Sequence, residues 1–196
     1  MKNLVKKSLV VLGLFTSLMG FANAGPEMIK EKEVKVTNLS FKSVKQGSKL
    51  SIKDANGLIL YKESIGKTGK YSKGFDLTAL PNGDYYFELE SDLKIVLIPF
   101  NVAQNEVNFK KEEENTIFKP VIRVKDEIVY LSRPSFDETP IDVKIFFSKN
   151  HDLILSEKFE KESELKRVYD FSKSQKGYYT FVFESNGRKY SKSVKI

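Results

Sequence analysis

The chain has 196 residues, a formal charge of +7, no cysteine and one histidine. The lack of cysteine excludes disulfides, a thiol nucleophile, thiolate metal sites and a lipid-modified cysteine behind a leader. Basic and acidic residues are interspersed along the chain and form no basic block, so we expect no nucleic-acid partner.

The first 24 residues have the pattern of a secretory signal peptide. Three lysines precede an apolar run over 8–21, and A-N-A follows at 22–24. This order predicts cleavage after Ala24, and the run is shorter than the roughly 20 residues of a membrane-spanning helix. Removing three lysines lowers the formal charge from +7 to +4. We expect a secreted or periplasmic protein without a transmembrane segment after cleavage, and its association with the cell surface stays open.

Apolar and polar residues alternate with a period of two in the first half, which predicts short half-buried strands. A strand over 49–53 is followed by the hairpin turn D-A-N-G and a return strand over 58–63. The glycine- and lysine-rich segment 64–74 predicts a flexible loop. In the strand over 84–91, Tyr85, Phe87 and Leu89 share one face, and Tyr86, Glu88 and Glu90 share the other.

The segment 94–102 is more continuously apolar and contains Pro99. Proline cannot donate to a ladder, so we expect an edge strand or a bulged one. The polar segment that follows, centred on K-K-E-E-E, predicts a linker over 110–116.

The second half repeats the plan of the first. The sequence FDLTALPNGDYYFELES at 75–91 returns as YDFSKSQKGYYTFVFES at 169–185, with six of seventeen positions identical. These corners are 94 residues apart, whereas the two L-I-L triplets are 95 apart, so their alignment needs one gap. The second half is predicted to open with strands over 117–124 and 128–132.

Repetition near 95 residues indicates duplicated domains, since solenoid repeats are shorter. The chain is therefore predicted to be all-β, with two tandem immunoglobulin-like antiparallel β-sandwich domains after the signal peptide. The predicted divisions are 1–24 for the signal peptide, 25–109 for domain 1, 110–116 for the linker and 117–196 for domain 2. A single closed barrel built by both halves is the alternative.

Each repeated corner contains residues with a clear structural use. An aspartate can accept bonds from turn N–H groups, a glycine can take a left-handed conformation, and an inward tyrosine can return its hydroxyl to the corner. One aspartate in each half at the same place indicates a structural device and not a catalytic pair. The predicted corner residues are Asp76, Gly83, Tyr85, Asp170, Gly177 and Tyr179.

The corner and the end of the chain resemble a known family. The pattern D-L-x-x-L-P-x-G-x-Y-x-x-x-L and the terminal G-Y-Y-T-F-V-F-E-S-N-G-R-K-Y-S-K-S-V-K-I are similar to the C-terminal sorting domain of type IX secretion cargo. The resemblance covers roughly the last 55 residues and, more weakly, 49–102. It implies a small immunoglobulin-like sandwich that addresses a protein for export across the outer membrane.

No catalytic or metal-binding pattern emerges from the sequence. His151 is the only histidine, lies in a predicted turn and has no nucleophile motif beside it. The acidic triplet 112–114 lacks the spacing of a calcium loop. We therefore predict no catalytic residues, no metal site and no cofactor.

Three tyrosines are the candidate binding surface. Tyr86, Tyr130 and Tyr178 are predicted on outward faces, where a phenol can stack on a sugar or contact a protein, or can instead serve cross-strand or interdomain packing. The leading hypothesis is a non-enzymatic binding or adhesion module with a protein or glycan partner. The alternative is a role in export, sorting or envelope assembly through the C-terminal domain.

Overall fold

The computed structural model describes residues 35–134, 138–160 and 163–196, so the predicted signal peptide and its cleavage site lie outside the described residues. These ranges contain no helix long and apolar enough to cross a membrane. They include two short 3₁₀ helices, Leu77–Ala79 and Lys111–Glu113. Their strands are β1 (Thr37–Val44), β2 (Lys49–Asp54), β3 (Ile59–Ser64), β4 (Gly69–Phe75), β5 (Gly83–Glu90), β6 (Lys94–Ala103), β7 (Glu106–Phe109), β8 (Asn115–Phe118), β9 (Val121–Lys125), β10 (Ile128–Pro134), β11 (Ile141–Phe147), β12 (Asp152–Phe159), β13 (Glu164–Asp170), β14 (Tyr178–Ser185) and β15 (Arg188–Lys195).

The described strands form four antiparallel sheets, two in each half of the chain. In the first half, β1 pairs with β4, and a larger sheet has the order β3-β2-β5-β6-β7 with β8 also on β6. In the second half, one sheet has the order β13-β10-β9 and the other β12-β11-β14-β15. The pairings β1-β4 and β3-β2-β5-β6 thus correspond to β10-β13 and β12-β11-β14-β15.

The first half buries its apolar residues between its two sheets. Leu39 and Phe75 from the β1-β4 sheet contact a core that includes Leu50, Phe87 and Phe100 from the larger sheet. The rings of Phe87 and Phe100 have centroids 5.2 Å apart. Each fully buried side chain of this size contributes about 1.5–3 kcal/mol by leaving water.

The second half has a separate core built in the same way. Val129 and Leu165 of one sheet face Val143, Phe181 and Phe183 of the other. The predicted all-β sandwich class is confirmed, and the alternative of one closed barrel is wrong because each half closes its own pair of sheets around its own core.

The segment 64–74, predicted as a flexible loop, is largely strand β4. It pairs with β1 over Thr37–Phe41 and again at Val44, with a register shift between these parts. The alternation of β4 is hard to recognise because its inward positions include Tyr71 and Lys73, which are amphipathic and only half-buried. Sequence reasoning missed β1 as well, since the register shift interrupts its alternation.

Pro99 lies within a strand that has neighbours on both sides. β8 pairs with residues 94–97 of β6, and β7 pairs with residues 100–103, which leaves a gap opposite Pro99. The Pro99 carbonyl accepts a bond from the Lys110 N–H in this gap, at 3.0 Å. The N–H and C=O of a strand residue point to the same edge of the strand. The N–H that proline lacks would therefore also point into this gap, where no strand residue needs it. The prediction of an edge or bulged strand is therefore wrong.

The segment predicted as a linker contains ordered secondary structure. The second 3₁₀ helix lies within 110–116, and β8 begins at Asn115 and pairs with β6 of the first half. The predicted strand over 117–124 is instead divided between β8 and β9, which belong to different sheets. The chain crosses from one half to the other in the two residues Lys119 and Pro120.

The two L-I-L triplets do not occupy equivalent positions in the ladders. Ile52 pairs with Tyr61 in the first half and Ile145 pairs with Leu155 in the second, with a register shift directly after each pair. Ile52 and Ile145 are thus 93 residues apart, whereas Tyr61 and Leu155 are 94 apart, like the corners. The one-residue difference falls in the hairpin between these two strands. Both triplets are largely exposed on edge strands.

Candidate functional site

The two predicted corner tyrosines make the same hydrogen bond in each half. The Tyr85 hydroxyl donates to the carbonyl of Pro81 at 2.8 Å, and the Tyr179 hydroxyl donates to the carbonyl of Gln175 at 2.7 Å. Both acceptors lie four residues upstream, and both phenol rings are buried in their cores. Such a bond satisfies a polar group that enters the core and fixes the turn against the strand.

The corner aspartates bind within their own turns but in different ways. Asp170 accepts a bond from the Ser172 N–H at 2.8 Å, and this backbone bond lowers the pKa of the Asp170 carboxyl. Asp76 accepts a bond from the Thr78 hydroxyl at 2.6 Å, and its side chain caps no N–H of the 3₁₀ helix that follows. The expectation of bonds to turn N–H groups therefore does not describe Asp76.

The corner glycines also differ from each other. Gly177 has a φ of +154°, and a Cβ there would lie 2.7 Å from Cε2 of Phe147. Gly83 has no positive φ, because it is already part of β5 and pairs with Val102 in the ladder. The prediction of a left-handed conformation is wrong for Gly83, whose Cβ would make only ordinary contacts with Tyr85.

A buried carboxylate joins the two halves. Glu88 of β5 is 4% exposed, although its alternation places it on the face away from the first core. It accepts bonds from Lys53 Nζ at 2.8 Å and from Arg188 Nη2 of β15 at 2.7 Å. Burial raises the pKa of Glu88, but the bonds and charges of Arg188 and Lys53 outweigh it, so the pKa lies below its usual value.

A second set of contacts lies beside this carboxylate. Lys119, in the crossing between the halves, donates to Glu90 at 2.8 Å and to the Ser91 carbonyl at 2.6 Å. Its ammonium lies 6.0 Å from the centroid of the Tyr190 ring. Ile95 is 1% exposed but belongs to neither core. The outer face of the first large sheet is thus a contact surface for the second half.

The halves enclose a cleft of about 580 Å³. Its walls come from the end of β1, the β5–β6 hairpin, the crossing, and the outer faces of β9 and β10. The lining residues are Ser43, Val44, Lys45, Ser48, Leu89, Ser91, Asp92, Leu93, Lys94, Val96, Phe118, Lys119, Val121, Arg123, Ser132 and Pro134. A concave site of this size, with apolar walls and a few polar groups, is typical of ligand-binding sites between domains.

The three candidate tyrosines lie in different surroundings. Tyr130 is 44% exposed on the outer face of β10, directly opposite Arg123 of the cleft. Tyr178 is 58% exposed at the start of β14. Tyr86 is half-buried, and its proximity contributes to the raised pKa of Arg188, which places it at the contact between the halves. Only Tyr130 continues the surface of the cleft.

Another ionic cluster connects β3 with β4. Glu63 accepts bonds from the Tyr61 hydroxyl, from the Tyr71 hydroxyl and from Lys73 Nζ. Burial and the bond to Glu63 raise the pKa of Tyr71, and the pKa of Glu63 lies below its usual value. These shifts keep the phenol protonated and the carboxylate ionised, so neither group is prepared to accept a proton. In the second half, the Tyr169 hydroxyl of β13 donates to Glu157 of β12 at 2.9 Å. This bond connects the two sheets of that half in the way that the bond from Tyr71 to Glu63 does in the first.

Sequence reasoning gave the corner tyrosines but missed the residues of the junction. The alternation of β5 puts Glu88 on the outward face of its strand together with Tyr86 and Glu90. Nothing in that alternation distinguishes an outward face that is solvated from one that another domain covers. His151 lies in a turn with a φ of 60°, and no group of three histidine or acidic side chains in the described ranges could hold a metal ion.

No family model matches the chain, and no curated protein is similar enough to match. Among solved structures, similarity is found to a chain described as "Biofilm associated protein - BSP domain", with 14% identity and a TM-score of 0.28. The match covers 83% of this chain and 27% of that one, so this chain spans about a quarter of its length. At that TM-score we draw no conclusion from the likeness.

Replacing Glu88 by glutamine is expected to destabilise the protein. The change leaves the half-buried cations of Lys53 and Arg188 without their counter-charge, and the loss of such a pair costs on the order of 3 kcal/mol. Because the folded pKa of Glu88 lies below its ordinary value of 4.5, its contribution is present above that pH and is lost as the pH falls through the folded pKa. The free energy of unfolding, measured with urea between pH 3 and pH 7, should therefore fall less steeply at acid pH in the variant than in the wild type.

The matched control is Glu184→Gln. Glu184 pairs with Lys189 at 3.1 Å on the surface, where solvent screens the pair and its loss should have no measurable effect. Equal losses of stability in the two variants at pH 7 would contradict the role given to Glu88.

Proposed function

We propose that the protein is a secreted or periplasmic, non-enzymatic binding module of two immunoglobulin-like β-sandwich domains. The observation that carries the proposal is the cleft of about 580 Å³ between the halves. Its walls come from both halves, and a buried ion pair fixes their arrangement. A protein or glycan partner is the ligand class that such a surface suits. The periplasmic or extracellular location depends on the predicted signal peptide.

The arrangement of titratable groups supports a binding role over a catalytic one. Glu88 and Glu63 are held ionised by their cations and hydrogen bonds. Catalytic acids and bases instead have a pKa close to the working pH and a free position for substrate. We therefore propose that the protein has no enzymatic activity and no cofactor.

Binding through the cleft is tested by blocking it. Ser132 lines the cleft on β10, and Ser132→Tyr fills it without altering either core. Ser191 is exposed on β15 and lies outside the cleft, so Ser191→Tyr is the matched control. The labelled wild-type protein should bind ligands on a peptide or glycan array. The Ser132→Tyr variant should not bind these ligands, and the Ser191→Tyr variant should bind them as the wild type does.

Two results would contradict this proposal. One is turnover of casein, nitrophenyl esters or nitrophenyl glycosides by the purified protein. The other is array binding that Ser132→Tyr leaves unchanged, or no array binding at all.

An export or sorting role through the second domain is the other candidate. The specific observation in its favour is that β15 is an edge strand, with exposed lysines at 189, 192 and 195. Deleting Arg188–Ile196 would not test it, because the deletion also removes the ladder to β14 and the partner of Glu88. Lys192→Glu combined with Lys195→Glu preserves both features.

If β15 is read by an export machine, the doubly charge-reversed protein should fold normally but remain inside the cell. Secretion is measured by immunoblotting of cell and medium fractions, with circular dichroism as the check on folding. Secretion equal to that of the wild type would reject the sorting role and leave the binding role in place.

A further inference from the structure

The edge of β9 beside the cleft is open. In the sheet β13-β10-β9, the described strands pair with only one side of β9. Val124 lies opposite the fully buried Val129 and so points toward the second core, yet it is 42% exposed. Among the described strands none lies beyond β9, which accounts for this exposure. An additional strand beside β9 would cover Val124 and satisfy the unpaired backbone groups.

The same strand presents a different surface toward the cleft. Val121 and Arg123 are alternate residues of β9, and both line the cleft. Every second side chain of a strand added beside β9 would point in their direction, because side chains alternate across a sheet. The cleft therefore lies where those side chains would enter.

The walls of the cleft are apolar where such side chains would lie. Val44, Leu89, Val96 and Phe118 contribute from the first half and the crossing. Leu93 lies at the opening and is 59% exposed. These apolar side chains suit the branched or aromatic side chains of a peptide, whereas glycan hydroxyl groups placed against them would lose hydrogen bonds to water.

The charges of the cleft favour an anionic ligand. Lys45 is paired with Asp92 at 2.6 Å, and Lys119 is paired with Glu90 at 2.8 Å. Lys94 and Arg123 also line the cleft, and neither has an ion pair within the described ranges. Two cations at an apolar cleft complement a ligand that combines carboxylates with apolar groups.

We infer that the cleft binds an extended peptide segment of a partner protein, which adds as a strand to the free edge of β9. Its apolar side chains enter the cleft, and an acidic side chain pairs with Arg123. This is the mode in which main-chain hydrogen bonds supply affinity and side-chain pockets supply specificity. The inference rests on the proposed binding function and names the ligand class of the same site.

The experiment is selection of a random nonapeptide phage library on the purified wild-type protein. Enriched peptides should combine bulky apolar residues with at least one Asp or Glu. Their affinity, measured by fluorescence polarisation of synthetic labelled copies, should fall roughly tenfold or more in Arg123→Glu, since a lost and reversed ion pair is worth at least 1.4 kcal/mol. Lys62→Glu, an equal change of charge at an exposed site on β3, should bind as the wild type does.

Strand addition is tested separately by methylating alternate backbone amides of the best peptide. Two peptides are made, one methylated at the odd positions and one at the even positions. One of them loses the N–H donors that reach β9 and should no longer bind, whereas the other keeps those donors and should still bind. Equal binding of both methylated peptides would overturn strand addition. Enrichment of peptides without acidic residues, or binding that Arg123→Glu leaves unchanged, would overturn the assignment of the ligand.

One further probe separates this inference from the proposed function. Binding of glycans on an array that Ser132→Tyr abolishes, while the library yields no peptide, would overturn the peptide inference and leave the binding function intact. Loss of the proposed function requires the different result that the protein turns over a substrate or binds nothing through the cleft.

Discussion

The arrangement of the two halves depends on one buried carboxylate. Glu88 lies on the outer face of the first large sheet, and Arg188 reaches it from the last strand of the second half. Taking these charges out of water is unfavourable, and breaking the pair after burial costs more than the pair contributes in net stability. Its effect is therefore on specificity: among the ways in which two sandwiches could meet, it favours the one that places Arg188 beside Glu88. Lys53 belongs to the same sheet as Glu88 and is its neighbour in any arrangement of the halves. The cleft exists because that arrangement holds the β5–β6 hairpin against the outer face of β9 and β10.

The internal organisation of each half could be predicted from the sequence. The alternation of Tyr85, Phe87 and Leu89 gives the inward face of β5 correctly, and all three are buried. The repeated corner was recognisable because it needs the same residues each time, most clearly the tyrosine whose hydroxyl returns four residues upstream. These features depend on contacts between residues close in sequence or between the two sheets of one half. The local sequence pattern is therefore enough to predict them.

Features that depend on the other half could not be predicted in this way. An exposed glutamate and Glu88 look alike in an alternating strand, because the difference lies in Arg188, which is 100 residues away in the chain. The ionic segment 110–116 has the composition of a linker, yet its first residue bonds to Pro99 and its last two pair with β6. Whether Tyr86 is exposed or covered likewise depends on the packing of the two halves, which the local pattern does not encode. The cleft is thus a product of the junction, because its walls come from both halves.

The central claim is that the two halves form one rigid unit. Because the chain contains no cysteine, Lys62→Cys and Lys195→Cys place a single spin label on exposed sites of each half. Pulsed electron paramagnetic resonance then measures the distribution of distances between the labels. A fixed junction predicts one narrow distribution, which should broaden when Arg188→Ala is added. A broad distribution in the protein with Arg188 intact would contradict the account, since neither the junction nor the cleft would then be a stable feature.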